Sequence, residues 1–419
     1  MYMPRSFNFR LLGLAGFAAL AAACGSGRPE VVKVTPMPTI DPVTRHLAVF
    51  DKAWDTVQTQ YVSDDFNGVD WEALGDEYRG RVSAGLSEVE FAETMQALLA
   101  NLPDSQATFE TRAQRLEEET ADRRVYHGIG AFISFRQEPE PHVVILSVIS
   151  DSPAEAAGLE SHDSIYAIDG QPFEADDAAV PAERIRGEAD STVVLTVQTP
   201  GEERREVTIQ RAQIVAADVL RGGYLEDLGV AYYRVPVAAE STLAQTIAEN
   251  LLSIGEDRPL NGLVIDLRVA RSGNGSWPLS QMLTLFGNGE LGEYYSRDGS
   301  DPLAIEGRDL AGSQSVPMVI LVGPDTEGSP EVFAAALQSA GRARLIGLPT
   351  PGAVEGYTEV SLPDGSRMFL ATSSFRTQDN VDLATTGITP DVPINGDWDQ
   401  ITSEADPVLA AALSLLLSR

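Results

Sequence analysis

The chain has 419 residues, 43% of them hydrophobic, and carries 30 basic against 62 acidic side chains, a formal net charge of −32. That length suits two or three domains of about 150 residues each, and a polyanion without a basic stripe argues against a nucleic-acid partner. A single cysteine, Cys24, excludes an internal disulfide, a cysteine zinc site and an iron–sulfur cluster. The four histidines, His46, His127, His142 and His162, show no metal-ligand spacing, and no cofactor is implied. Lysine occurs only at Lys33 and Lys52.

Residues 1–10 carry Arg5 and Arg10 and no acid, and residues 11–23 are apolar or small without interruption. A cationic start, a short apolar run and small residues before a cut describe an export signal. Thirteen helical residues rise roughly 20 Å, short of the roughly 30 Å hydrocarbon core, so the run does not read as a spanning helix. The stretch resembles a bacterial lipoprotein signal, in which Cys24 would be lipidated and become the new N-terminus. The segment 24–42, with four prolines, then reads as a tether.

From residue 43 the pattern is helical. Leu47, Phe50, Trp54, Val57 and Tyr61 recur at three- and four-residue spacing, one apolar face. A second helix is expected near Asp70, with Trp71, Leu74 and Tyr78 inward, and a third opens with a Ser87–Glu90 capping box. Residues 43–120 are thus read as a small helical domain held together by ordinary amphipathic burial.

Near residue 126 the period changes to that of strands. Segments 131–135, 143–148, 164–168 and 192–197 are strand-like, with Asp169-Gly170 and Pro200-Gly201 as turns. Five ordered segments, Gly128-Ile129-Gly130-Ala131, Ser152-Pro153-Ala154, Ala157-Gly158-Leu159, Asp163-Ser164-Ile165 and Ile168-Asp169-Gly170, resemble a PDZ domain of the bacterial protease type spanning 125–213. The resemblance implies that backbone N–H groups of the Gly128–Ala131 loop receive a peptide carboxylate beside an exposed strand edge. One departure is His162, where a glycine usually precedes that Asp.

From 220 to 415, apolar β-branched runs (229–235, 263–267, 318–322) alternate with helical patterns (243–254, 332–340, 407–417), as in an α/β domain. A turn-rich stretch at 346–356, a hairpin-like segment at 360–372 and an extended tail at 387–394 complete it. The fold class expected is therefore multidomain α+β: a helical domain, a β-rich PDZ domain and a layered α/β domain.

The order of these modules resembles the C-terminal processing (tail-specific) serine proteases and their tricorn-like relatives over roughly 43–415. Carrying segments include Gly68-Val69-Asp70-Trp71, Leu102-Pro103-Asp104-Ser105, Leu263-Val264-Ile265-Asp266-Leu267-Arg268, Glu331-Val332-Phe333-Ala334 and Gly387-Ile388-Thr389-Pro390-Asp391. The resemblance implies a nucleophilic serine three residues before Glu331, and that position is Gly328. It implies a lysine base at Ala353 in one branch, or a histidine at Gln106 and a glutamate near Ala384 in the other. The oxyanion loop would correspond to 269–275, with Gly273 and Gly275. A serine needs an adjacent base to become a nucleophile, and neither Ala353 nor Gln106 supplies one. Ser329, the one fallback hydroxyl, reads better as a helix cap before Pro330 and Glu331. His127 reads as a strand residue flanking Gly128, and Asp266 and Asp391 as strand-end or turn residues rather than a catalytic pair.

These readings lead to an exported lipoprotein on the outer side of the bacterial cytoplasmic membrane or in the cell envelope. It would bind extended peptides or protein C-termini without cutting them. The alternatives are a working endopeptidase using Ser329, and a sugar- or small-ligand-binding lipoprotein that has reused the cleft expected between the PDZ and α/β domains.

Overall fold

The computed structural model describes residues 41–102, 107–120, 125–175, 180–215, 218–272, 277–384 and 386–418. Cys24 and its signal, Gln106, Gly273 and Gly275 lie outside these described residues.

Three helices open the folded part: α1 (Pro42–Gln60), α2 (Trp71–Ser83) and α3 (Glu88–Leu99). Their starts are set locally. Asp70 accepts the Ala73 N–H at 3.0 Å. Ser87 and Glu90 make both bonds of the expected capping box. The helical domain does not close its own core, however. Its apolar faces pack around Phe109 of β1 (Thr108–Glu110) and around Leu362, Met368, Leu370 and Ala371 near the far end of the chain. A short helix, α4 (Arg112–Thr120), follows.

The PDZ module contains β2 (Val125–Gly128), β3 (Ala131–Arg136), β4 (His142–Val148), α5 (Pro153–Ala156), β5 (Ser164–Ile168) and β6 (Gln171–Pro172). It ends with α6 (Val180–Ile185), β7 (Thr192–Gln198), β8 (Arg205–Gln210) and β9 (Ala212–Val215). Its sheet runs in the order β3-β4-β5-β7-β8, while β2 pairs β9 separately. β4 is buried at all seven positions because both faces are covered. Val143 and Ile145 enter the PDZ core, and Val144 and Leu146 pack on Val237, Val269, Trp398 and Ile401. That two-sided burial accounts for an apolar run that does not alternate.

The remaining chain supplies β10 (Arg221–Leu225), β11 (Val230–Arg234), α7 (Leu243–Asp257), β12 (Gly262–Asp266), α8 (Leu279–Phe286), β13 (Gly289–Ser296) and β14 (Gly299–Ile305). Then come β15 (Met318–Val322), α9 (Ser329–Ser339), β16 (Arg344–Gly347), β17 (Gly356–Ser361), β18 (Arg367–Arg376), β19 (Val392–Pro393) and α10 (Pro407–Leu417). The central sheet, β10-β11-β12-β15-β16-β19, is parallel apart from β10. Residues of α7, α8 and α9 form the core on one face, and Val408, Ala412 and Leu416 of α10 cover the other. A second sheet, β1-β18-β13-β14 with β17 on β18, joins the helical domain to this layer. Among the described residues no helix is long and apolar enough to cross a membrane.

Candidate active site

The C-terminal ends of parallel strands are where α/β folds place chemistry. β15 ends at Val322, and the chain turns through 323–328 into α9. Gly328 caps this helix with φ 73° and ψ −129°. A sharp strand-to-helix turn of this kind lifts a nucleophile's hydroxyl clear of the sheet in serine hydrolases. Here it carries no side chain. The expectation that Ser329 caps the helix is corrected: Ser329 is the first residue of α9, and the cap is Gly328. Glu331 closes this end of the helix from inside, its carboxylate accepting the Gly328 N–H at 3.3 Å, while the N–H of Ser329 donates to the Ser272 hydroxyl at 2.9 Å.

Glu331 also ties the turn to the segment that would bear a base. It accepts the Gly352 N–H at 2.8 Å, the Ala353 N–H at 2.8 Å and the Thr350 hydroxyl. The Thr350 oxygen in turn accepts the Ile388 N–H at 2.8 Å. Glu331 is fully buried, and burial pushes its pKa above the ordinary value against the four donors that hold it down. One carboxylate therefore gathers Gly328, Ala353 and the Gly387-Ile388 segment, and two of the anticipated catalytic positions meet there without functional groups. Ala384 is not gathered: it is half-buried, and its N–H donates to Asp382 at 3.0 Å.

None of the four histidines reaches this turn. His127 is exposed on β2 opposite Gln213, and His46 is buried in α1, stacked on Phe91. His142 meets Asp399 at 2.8 Å, and His162 donates its Nδ1–H to the Trp398 carbonyl at 2.7 Å. Asp266, fully buried at the end of β12, pairs with Arg268 at 2.7 Å, which reaches Asp406 at 2.6 Å. Asp391 accepts the Leu345 N–H at 2.7 Å. Both aspartates are structural, at a strand end and a turn.

The Gly128–Ala131 loop is held from its inner side. Gly130 has φ 86°, and a Cβ there would collide with the Ser152 Cβ. The carbonyls of Ile129 and Gly130 are tied inward, to the Ala154 N–H at 2.8 Å and the Ile149 N–H at 2.9 Å. Among the described residues the Ile129 and Gly130 N–H groups meet no protein acceptor. β3, which follows the loop, forms the edge of its sheet.

Sequence reasoning missed what joins this loop to the turn. Arg136 of β3 forms ion pairs with Asp325, in the turn before Gly328, and with Asp397 at 3.2 Å. Arg271 pairs with the same Asp325 and bonds Ser134 of β3 at 2.8 Å. Asp325 is buried, and although burial raises a carboxyl's pKa, Arg136 and Arg271 hold this one below the usual range. No local spacing marks these partners, which stand 54 to 261 residues apart.

A PDZ module, a helical domain and a layered α/β domain with a nucleophile-type turn define the class: a PDZ-bearing serine-peptidase scaffold. The description of Peptidase family S41 matches residues 229–394, that of the Tricorn protease C1 domain residues 42–100, and that of the PDZ domain residues 123–210. The carboxyl-terminal-processing protease of Picosynechococcus sp. is 29% identical over 391 residues, covering 90% of this chain and 92% of its own. The chloroplastic C-terminal processing peptidase of Tetradesmus obliquus is 28% identical over 373 residues, covering 84% and 78%. Among solved structures, the photosystem II D1 C-terminal processing protease superposes with a TM-score of 0.63 at 24% identity, over 84% of this chain and 93% of that one. A putative S41 protease from Bacteroides fragilis gives 0.53 at 15% identity, over 87% and 96%. The chain belongs to the tail-specific protease family.

Proposed function

We propose that this protein is an exported, lipid-anchored member of the family that captures extended peptides and free protein C-termini without hydrolysing them. The observation that carries this reading is the turn at Gly328. It keeps a nucleophile's backbone geometry and its partner segment at Ala353, with no hydroxyl on the one and no base on the other. Removing the serine or the base of a triad costs roughly a million-fold in turnover. Binding has separate support in the Ile129 and Gly130 N–H groups, which face no acceptor among the described residues, beside the β3 edge. Relatives named for C-terminal processing are consistent with a protein C-terminus as the ligand. Cys24 after three alanines supports the anchor and a place at the outer face of the cytoplasmic membrane or in the envelope.

The test uses the purified mature protein. A peptide with a free carboxylate is expected to bind at micromolar strength, about −8 kcal/mol, and more weakly once amidated. Unfolded substrates are expected to stay intact, and a fluorophosphonate probe to leave the protein unlabelled. Hydrolysis that vanishes in Ser329→Ala, with the fold intact by circular dichroism, overturns the reading in favour of an active endopeptidase. Cys24→Ala is expected to abolish membrane association and palmitate incorporation. Unchanged fractionation and labelling remove the anchor.

A further inference from the structure

The space beside Gly328 is not vacant. A Cβ placed on Gly328 would collide with the Ser272 Oγ, which comes from the loop after β12. The Ser272 hydroxyl oxygen accepts the Ser329 N–H at 2.9 Å. In serine hydrolases the N–H of the residue after the nucleophile is an oxyanion donor, and Ser329 is the residue after the nucleophile position.

Ser272 is held there by its surroundings. Its own N–H donates to the Glu327 carbonyl at 3.1 Å, and the Glu327 N–H donates to the Ala270 carbonyl at 3.1 Å. Arg271 and Glu327 form a parallel β-bridge, and the Arg271 side chain pairs with Asp325. Two backbone bonds and an ion pair thus set the loop against the turn in one register.

We propose that Ser272 has taken the nucleophile's slot from the neighbouring loop and acts as a built-in plug. Its oxygen occupies the backbone donor on which a scissile carbonyl would be polarised. A peptide held by the PDZ loop then finds the cleft closed at the point of cleavage. Ser272 is not a replacement nucleophile. The chain has no lysine after Lys52, and no described histidine reaches the turn, so its proton has no base of either kind to go to. Loss of the side chain at 328 and entry of the one at 272 are complementary, because a Cβ on residue 328 and the Ser272 Oγ would claim overlapping space. The inference rests on Gly328 being the vacated nucleophile position, and its test reads the 272–328 contact rather than peptide binding.

The first measurement is a double-mutant cycle on the full mature chain. Gly328→Ala is expected to lower the unfolding midpoint by several degrees, through both the collision and the positive φ. Ser272→Gly should recover part of that loss in the double variant. Additive shifts overturn the plug, since residues that do not share a space do not couple. The second measurement does not need Gly328→Ala to fold. The Ser329 amide is expected to be protected from hydrogen exchange in the wild type and to lose protection in Ser272→Gly. An unprotected amide in the wild type overturns the proposal. The third compares fluorophosphonate labelling of Gly328→Ser/Ala353→Lys with and without Ser272→Gly. One oxyanion donor is worth about 10²–10³-fold, so freeing it should raise labelling at least about tenfold. No increase overturns the proposal. So does wild-type labelling abolished by Ser272→Ala, which would make Ser272 the nucleophile.

Discussion

Acid should weaken the junction between the PDZ module and the α/β domain through one residue, His162. It is buried, lies tilted against the Trp398 ring with centroids 4.1 Å apart, and donates to the Trp398 carbonyl at 2.7 Å. Burial, with Arg234 and Arg268 nearby, pushes its pKa down to about 4 from 6.5. As pH falls the unfolded chain takes up this proton first, so stability declines from about pH 6.5 down to about 4 and then levels off. With those two values, acidification from pH 7 to pH 5 removes about 2 kcal/mol. His142 at the same junction has the opposite sign. Burial disfavours its charge, but the Asp399 carboxylate and the Glu140 carbonyl together outweigh burial and raise its pKa, so its contribution is full in acid and fades as pH rises. A comparison between variants isolates His162. Its φ of 83° is left-handed, so His162→Gly keeps the backbone without strain. Calorimetric unfolding at pH 7 and pH 5 should show the wild type losing about 2 kcal/mol more than His162→Gly. Equal acid sensitivity of the two proteins, or a His162 imidazole resonance, assigned by its loss in His162→Gly, titrating near 6.5, refutes the reasoning.

Three further outcomes are expected. Arg136→Ala removes one of two arginines from the buried Asp325 and should cost at most about 3 kcal/mol, because Arg271 remains; a wild-type unfolding midpoint would show that the pair contributes nothing. Glu331→Gln turns an amide NH₂ toward a carboxylate's donors and should cost about 1–3 kcal/mol, read as a drop in midpoint; an unchanged midpoint means the four bonds do not hold the turn. Gly130→Ala drives a Cβ into Ser152 and should weaken peptide binding at least about tenfold, about 1.4 kcal/mol; equal calorimetric affinity excludes the loop as the carboxylate receptor.

Sequence alone determined what a few neighbouring residues can encode. The Ser87–Glu90 capping box, the Asp70 cap, the strand Met318–Val322 and the helix Pro407–Leu417 lie where propensity and periodicity put them. Residue identity likewise fixed that the anticipated nucleophile and base positions, Gly328 and Ala353, carry neither hydroxyl nor amine. α8 and the β13–β14 hairpin went unread, since short amphipathic and charged segments acquire their state from what they pack on. The helical domain's dependence on Met368 and Leu370 was likewise invisible, because a core shared across more than 250 residues leaves no local pattern. His162 stands where a glycine is usual, and only the packed structure shows what offsets its left-handed backbone: a ring packed against Trp398, 236 residues away. Tertiary structure alone placed Ser272 against Gly328. That contact joins residues from two different strand ends, and a sequence cannot state which loop will fill a space until the sheet has brought both ends to the same edge.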